Sequence, residues 1–211
     1  MTRNYFWHSA FDDYPVVGVN WIQCTAFCIW RTNLWNDIRS LNGEGLIDNF
    51  RLPYESEWEY ASRGGKQNAA YPWGGPYIRN TKGCILANFK PGRGNYPEDG
   101  GFYTVRIDSY WPNDYGLYNM PGNVSEWTST AFFENASSFV WDLNSDITYD
   151  AKDSDPETMK RKVIRGGSWK DIGYFLQNGT RNYEYQDTAK AYVGFRSVMT
   201  FLGRSIDDAI H

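Results

Sequence analysis

The apolar positions after residue 20 follow the period of an α-helix and are Phe27, Trp30, Leu34, Ile38 and Leu41. This spacing places the five side chains on one helix face, which we predict to be buried. Asn20 can accept a hydrogen bond from the amides of the first turn, and Gln23 completes a capping box. Asn42 and Gly43 supply a stop signal. The pattern therefore predicts a helix from residue 21 to residue 41, entered from a short strand in VVGVNW at 16–21.

A second helix is expected over residues 53–62. Its proline suits the first helical position, and its early glutamates favour the positive end of the helix dipole. Trp58 and Ala61 would face inward. Beyond residue 65 the chain consists of aromatic, proline and glycine segments without periodicity, which predict turns and short strands. The clearest strands are 162–165 and 191–199.

Composition indicates one loop-rich domain spanning residues 1–211. The chain has 10 Trp, 16 Tyr and 12 Phe beside 20 Gly and 9 Pro, so an irregular backbone is expected to pack on aromatic anchors. The net charge is −4 with both signs dispersed, and without a basic stripe we expect no nucleic-acid partner. No apolar run approaches ~18 residues, so no membrane-spanning segment is predicted.

The three cysteines, Cys24, Cys28 and Cys84, form an odd number. Cys24 and Cys28 are four apart on the first predicted helix, where geometry disfavours a disulfide. A metal pair there lacks third and fourth ligands nearby. We interpret all three as small buried hydrophobic residues.

Four sequence blocks occur in a fixed order: RLPYESEWEYASRGG at 51–65, YGLYNMPGNVSEW at 115–127, VIRGGSW at 163–169 and YVGFRSV at 192–198. Together they resemble the formylglycine-generating-enzyme, or sulfatase-modifying-factor, family. The resemblance implies an α+β fold, a variant of the C-type-lectin fold that is loop-rich, with short strands and two main helices. It implies that residues 1–211 lack the opening strands of that fold, as in a fragment, a processed form or a truncated reading frame.

The nearly uninterrupted stretch at 160–205 narrows the resemblance to one branch, the PorK/GldK lipoproteins of type IX secretion and gliding motility in Bacteroidetes. This branch implies a non-catalytic structural component at the periplasmic face of the outer membrane. It would self-associate in a ring with a PorN/GldN-type partner. Membrane attachment would use a lipid anchor that is not part of these 211 residues.

Active members of the family use two cysteines after the RGGS block to hold copper and oxidise a substrate cysteine. Asp171 and Leu176 stand at these positions here. Leucine cannot bind copper, and a lone carboxylate is a poor ligand for Cu(I), so we expect neither copper nor catalysis. Ser197 replaces a structural cysteine of the family.

Other enzyme signals are weak. The two histidines are His8 and His211, both near the termini. Glu55 and Glu59 share a helix face, which we interpret as solvated or salt-bridged rather than catalytic. Two alternatives remain. One is an enzyme of the same superfamily using Asp171, Arg165 and Tyr174, and the other is a lectin-type ligand-binding domain.

The resemblance also implies two structural calcium sites built from backbone carbonyls and a few side-chain oxygens, ligands that suit this hard cation. The first would involve Asn88, Phe89, Asp99 and Gly101. The second would involve Asn119, Gly122, Val124 and Glu126. Gly101 departs from the family, which usually has an aromatic residue there, but only its carbonyl is needed. The alternative is that Asn119 and Glu126 only tie loops together by hydrogen bonds.

Two segments are least explained by the shared fold, the polar insert at 133–160 and the aromatic run at 170–186. In the run, the candidate anchors for a neighbouring subunit or ring partner are Tyr174, Phe175, Tyr183 and Tyr185. The alternative is that these four side chains fill the core.

Overall fold

The computed structural model describes residues 3–92, 94–141 and 145–200, in which short elements are linked by long loops. The helices are α1 (Trp21–Leu41) and α2 (Glu55–Arg63). The strands are β1 (Phe50–Arg51), β2 (Ser125–Ala131), β3 (Arg161–Arg165), β4 (Asn182–Tyr185), β5 (Val193–Gly194) and β6 (Val198–Met199). Short 3-10 helices lie at Ser9–Phe11, Tyr96–Asp99, Ala136–Ser138, Glu157–Lys160 and Gly173–Leu176. The predicted loop-rich α+β fold with two main helices is confirmed.

The strands form two sheets. The larger has the order β4-β3-β2-β5, with antiparallel β4–β3 and β3–β2 pairs and a parallel β2–β5 pair. The smaller pairs β1 with β6, and Phe50 lies opposite Met199. The predicted strand at 162–165 is confirmed as β3. The single strand predicted at 191–199 is divided into β5 and β6, because residues 195–197 leave the sheet to contact α1 and β2.

The predicted start and end of α1 are confirmed. Asn20 accepts the Gln23 amide at 2.9 Å, and the Gln23 side chain accepts the Asn20 amide at 3.0 Å. The strand predicted at 16–21 is wrong. Gly18 and Trp21 instead donate separate backbone hydrogen bonds to the loop at 186–190, so no continuous ladder forms.

The buried face predicted for α1 is wrong. Its five apolar residues are exposed, with Trp30 at 55% and Leu41 at 88%. The helix instead buries Cys24, Cys28 and Thr32. Small side chains on this face let the helix approach the large core residues beneath it, which are Leu52, Trp127, Ile164 and Val193. We call the five exposed residues, Phe27, Trp30, Leu34, Ile38 and Leu41, the α1 stripe.

Helix α2 begins at Glu55, two residues later than predicted. Tyr54 is the cap, and its amide donates to Glu57 Oε2 at 2.8 Å. Trp58 is buried as predicted. Ser62 is fully buried while Ala61 is half-buried, because the Ser62 hydroxyl donates to Asn178 Oδ1 at 2.8 Å.

The cysteines differ from expectation at one position. Cys24 and Cys28 are buried free thiols, as predicted, and burial raises the pKa of Cys24 to about 12. Cys84 is exposed. It lies at the end of a turn in which the Asn80 side chain accepts the Cys84 amide at 2.9 Å, and this keeps the segment at the surface. Neither helix among the described residues is long and apolar enough to cross a membrane.

Candidate functional site

Asp171 and Leu176, which the resemblance places at the family's catalytic cysteine positions, occupy different surroundings. Leu176 is 1% exposed and packs in an apolar cluster. The other members of that cluster are Tyr71, Ile85, Ala87 and Phe89. Asp171 is half-buried, and its Oδ2 accepts the Ser168 hydroxyl at 2.6 Å. One position is therefore a core residue and the other is a hydrogen-bonded carboxylate.

Arg165 does not join Asp171 and Tyr174 in a common site. Its guanidinium is buried and donates to Glu59 at 2.5 Å and to the Thr180 carbonyl at 2.7 Å. Tyr174 is 58% exposed. Among the described hydrogen bonds, none links two of these three side chains. The predicted salt-bridged role of Glu55 and Glu59 is confirmed, since both carboxylates pair with Arg165.

The first predicted cation site lies where the loop at 88–89 meets the loop at 99–101. The amide of Phe89 donates to Asp99 Oδ2 at 2.6 Å, and the amide of Gly101 donates to Oδ1 at 3.1 Å. Asn88 turns its Nδ2 to the Tyr103 carbonyl at 2.7 Å. This leaves Asn88 Oδ1 buried without a hydrogen-bond partner. The structure thus brings all four predicted residues together.

Asp99 is the anionic group of this first site. It is 8% exposed, and burial raises the pKa of its carboxyl group despite the two amide hydrogen bonds. No lysine or arginine in the described ranges forms an ion pair with it. A buried carboxylate with an unpartnered amide oxygen nearby suits a hard cation. A Cβ on Gly101 would lie 2.4 Å from Val105 Cγ1, which explains why an aromatic residue is not accommodated there.

The second predicted cation site has the same kind of unpartnered oxygen but a different charge balance. Asn119 donates through Nδ2 to the Ile107 carbonyl at 2.6 Å, and its Oδ1 is buried without a partner. Glu126, however, accepts two hydrogen bonds from Arg196, at 2.5 and 2.7 Å. Trp58 Nε1 donates to the same carboxylate at 2.7 Å. The negative charge of Glu126 is therefore already compensated.

The two sites adjoin each other at the loop that carries Gly122 and Val124. The Asn123 amide donates to the Asn88 carbonyl at 2.8 Å. Gly122 has φ +78°, and a Cβ there would lie 2.4 Å from that carbonyl, so this close approach requires glycine. Within the described part of the chain, no three His, Cys, Asp or Glu side chains cluster for metal binding. A cation at the first site would therefore depend on carbonyl and amide oxygens together with the single carboxylate of Asp99.

The four candidate interface residues lie in two groups. Tyr174 is exposed and meets Phe175 edge-to-face at 5.5 Å. Tyr183 and Tyr185 are half-buried on β4, with ring centroids 6.0 Å apart. None of the four is fully buried. The core alternative is therefore excluded for Tyr174, whereas the other three side chains are partly buried.

Arg196 is the site residue that our sequence analysis missed. It lies in the YVGFRSV block, where a charged side chain amid apolar neighbours was an available signal. Its acidic partner, Glu126, is 70 residues away in the chain. The spacing of the two blocks does not predict this pairing. His211 lies outside the described residues.

Comparison with known proteins places these features in a family. The sequence profile of the "Sulfatase-modifying factor enzyme 1-like domain" matches residues 5–201. The formylglycine-generating enzyme of Mus musculus is 33% identical over 191 residues, which cover 88% of this chain and 44% of that enzyme. The "Inactive C-alpha-formylglycine-generating enzyme 2" of Bos taurus is 32% identical over 190 residues, covering 87% of this chain and 50% of the relative.

Solved structures show the same fold. PvdO from Pseudomonas aeruginosa superposes with a TM-score of 0.64 at 23% identity, covering 88% of this chain and 61% of that one. Treponema denticola variable protein 1 gives 0.59 at 23% identity, with 89% and 71% covered. The chain spans about half the length of the curated relatives it matches. With a profile match across most of its length, the chain belongs to the sulfatase-modifying factor enzyme 1-like domain family.

Proposed function

We propose that this domain is a non-catalytic structural component. The observation that carries the proposal is the place of Leu176, which is packed in an apolar core at a position where copper chemistry needs a thiolate. Asp171 cannot replace the pair, because one hydrogen-bonded carboxylate is a poor site for Cu(I). We therefore propose that the domain neither binds copper nor oxidises cysteine.

Two further observations support a structural role. The family contains relatives named as inactive, at 30–32% identity to this chain. The α1 stripe leaves five large apolar side chains exposed along one helix. Contiguous exposed apolar surface is typical of faces that bind other proteins. A domain that has lost its chemistry can retain its fold as a support for partners.

The proposed setting is the type IX secretion and gliding-motility machinery. In this proposal the domain self-associates in a ring with a PorN/GldN-type partner at the periplasmic face of the outer membrane. The long stretch at 160–205 supports this assignment by its resemblance to the PorK/GldK branch. The α1 stripe and Tyr174 are the surfaces proposed for assembly.

The lack of catalysis is tested with a peptide that carries a sulfatase cysteine motif. The domain is incubated with the peptide, copper and oxygen, and the peptide mass is followed, with the mouse formylglycine-generating enzyme as positive control. We expect the cysteine to remain unmodified. Conversion to an aldehyde at the rate of the control would end the non-catalytic proposal.

The assembly role is tested by co-purification with a PorN/GldN-type partner. Leu34→Glu and Tyr174→Glu each place a charge on a different proposed surface. We expect at least one to abolish recovery of the partner while the domain stays folded. Asp153→Lys, a charge change in the exposed part of the insert, is the matched control. Full recovery with both surface variants would exclude both surfaces.

We further propose that calcium occupies the first of the two predicted sites. Its buried Asp99 has no described cationic partner, and Asn88 Oδ1 is free to accept a ligand bond. When bound, the cation would supply the positive charge that this carboxylate lacks. At the second site Arg196 already supplies that charge to Glu126, which favours the hydrogen-bonding alternative there.

A further inference from the structure

A cavity of about 290 Å³ lies beside the position of Asp171 and is not used by the proposed structural role. Its lining residues are Lys90, Tyr96, Phe102, Tyr103, Trp169 and Lys170. We call it the lysine–aromatic pocket. Its walls come from three separate segments of the chain, so the fold itself assembles this combination of side chains.

Backbone and side-chain hydrogen bonds hold the three segments together. The amide of Lys90 donates to the Asp171 carbonyl at 2.8 Å. The amide of Trp169 donates to the Asn123 carbonyl at 3.0 Å. Asn88, two residues before Lys90 in the chain, donates through Nδ2 to the Tyr103 carbonyl at 2.7 Å. Each wall is thus tied to buried structure, which makes the pocket preformed.

The aromatic rings form a continuous series of edge-to-face contacts. Centroid distances are 6.4 Å for Tyr96–Phe102, 4.9 Å for Phe102–Tyr103 and 5.1 Å for Tyr103–Trp169. Successive rings are rotated by 73° to 81°, so they present faces and edges in different directions. Phe102 is 54% exposed and Tyr103 is 44% exposed. The series therefore offers uncovered π surface to a ligand ring.

The charges that line the pocket are both positive. Lys90 Nζ lies 5.0 Å from the Tyr96 ring centroid, and Lys170 Nζ lies 3.6 Å from that of Tyr192. These contacts position the two ammonium groups and leave N–H donors available. Lys170 also lies 3.7 Å from Asp171 Oδ1, but none of the described residues lines the cavity with a carboxylate. A ligand there meets net positive charge, which selects an anion.

We propose that the lysine–aromatic pocket binds a small ligand in which one aromatic ring carries a carboxylate or phosphate group. The volume of about 290 Å³ lies just below the usual range of about 300–1,000 Å³ for small-molecule sites, so it suits a single ring. The neutral polar groups among the lining side chains are the tyrosine hydroxyls and the indole N–H. A sugar needs more hydrogen-bond partners than these, whereas an aromatic anion needs ring contacts and a cation.

Isothermal titration of the whole chain with phenyl phosphate tests the proposal, with inorganic phosphate, phenol and glucuronate as comparison ligands. We expect saturable binding of phenyl phosphate, with each comparison ligand at least about ten-fold weaker. Lys90→Ala with Lys170→Ala removes both cations, and Phe102→Ala removes an exposed ring. Each variant is expected to weaken phenyl phosphate about ten-fold or more while the melting temperature stays near that of the wild type.

Lys82→Ala, which removes an exposed lysine outside the pocket, is the matched control and should bind like the wild type. Absence of saturable phenyl phosphate binding would overturn the proposal. Equal weakening by the control would overturn it as well, because it would show attraction to overall charge. Tighter binding of glucuronate than of phenyl phosphate would replace the aromatic ligand with a sugar. These titrations measure ligand binding only, so their outcome is independent of the peptide-oxidation and co-purification assays of the proposed structural role.

Discussion

The carboxylate of Asp146 caps helix α2 through the backbone amide of Ser56, which lies 3.2 Å from Oδ1. The Ser56 hydroxyl also donates to this carboxylate, and Thr130 donates to Oδ1 at 2.7 Å. Burial would raise the pKa of Asp146, but these hydrogen bonds outweigh it and hold the pKa below its ordinary value. The insert at 133–160 therefore fastens the start of the helix that carries Trp58.

Asp146→Ala is expected to lower the free energy of unfolding by about 1–2 kcal/mol, as loss of an N-terminal cap does. Because the folded-state pKa is depressed, this difference is present above the ordinary value of 3.8 and is lost as the pH falls through the folded pKa. Urea unfolding at several pH values measures it. Asp153→Ala, an exposed acid of the same insert, should change little. An equal loss of unfolding free energy in Asp146→Ala and Asp153→Ala would contradict a capping role for Asp146.

Removing divalent cations is expected to lower the melting temperature of the wild-type protein. Ligand linkage gives a stabilisation of about 2.7 kcal/mol at a hundred-fold excess of ligand over its dissociation constant. Asp99→Asn should abolish the response to chelator, because it removes the charge of the first cation site. Calorimetric melting curves with and without chelator give the comparison.

Glu126→Gln, at the second predicted cation site, is the comparison variant for the chelator experiment. It leaves the half-buried Arg196 without its carboxylate, so it should destabilise the protein in both calcium and chelator. Its response to chelator should nevertheless persist. If Glu126→Gln abolishes the response and Asp99→Asn does not, the cation belongs to the second site. If the wild type itself shows no response and no bound metal, the calcium proposal fails.

Leu34→Glu is expected to change the free energy of unfolding by less than about 0.5 kcal/mol, because the α1 stripe is exposed. Thr32→Ala, two residues earlier on the buried face, should cost about 1–2 kcal/mol. It removes the hydroxyl that accepts the Phe50 amide at 2.8 Å. Denaturant unfolding of the two variants distinguishes the faces. If Leu34→Glu lowers the free energy of unfolding more than Thr32→Ala does, the α1 stripe is the buried face, as helical periodicity predicts.

Lys162 gives the chain a second pH dependence. Its side chain is fully buried and burial lowers its pKa, although Asp150 opposes the shift. Between the lowered value and the ordinary 10.5, the unfolded chain binds more protons, so stability rises with pH. The stability of the wild type relative to Lys162→Met should therefore rise as the pH increases towards 10.5. Lys152→Met, at an exposed position, should show no such gain. A stability difference between the wild type and Lys162→Met that does not change with pH would contradict the lowered pKa of a buried Lys162.

Local signals predicted the helices well and their packing poorly. The capping box of Asn20 and Gln23 depends on neighbours three residues apart, so the sequence alone locates the start of α1. Periodicity identified the α1 stripe but not what covers it. The face that packs on Trp127 is the one with Cys24 and Cys28, because small residues permit close approach. That choice depends on the shape of the sheet below, which no local pattern contains.

In the candidate site, too, some features could be predicted from the sequence and others could not. The family resemblance placed Asn88 and Asp99 in one predicted site, and the structure brings their two loops together. The resemblance did not predict the charge compensation of Glu126 by Arg196, since that pairing joins two sequence blocks that are 70 residues apart. The lysine–aromatic pocket was also invisible in the sequence. Its walls come from aromatic, proline and glycine segments that lack periodicity, so their relative positions are fixed only by the tertiary structure.

Two peptide bonds connect the first cation site to the lysine–aromatic pocket. Phe89 is followed directly by Lys90, and Gly101 is followed directly by Phe102. A cation held between these loops would restrict the same backbone that carries the pocket walls. If the bound cation raises the affinity of the pocket for its ligand, thermodynamic linkage requires the reverse effect as well. A bound ligand would then raise the affinity of the site for the cation by the same factor. Through this shared backbone, the domain would respond to two solutes cooperatively without a catalytic residue.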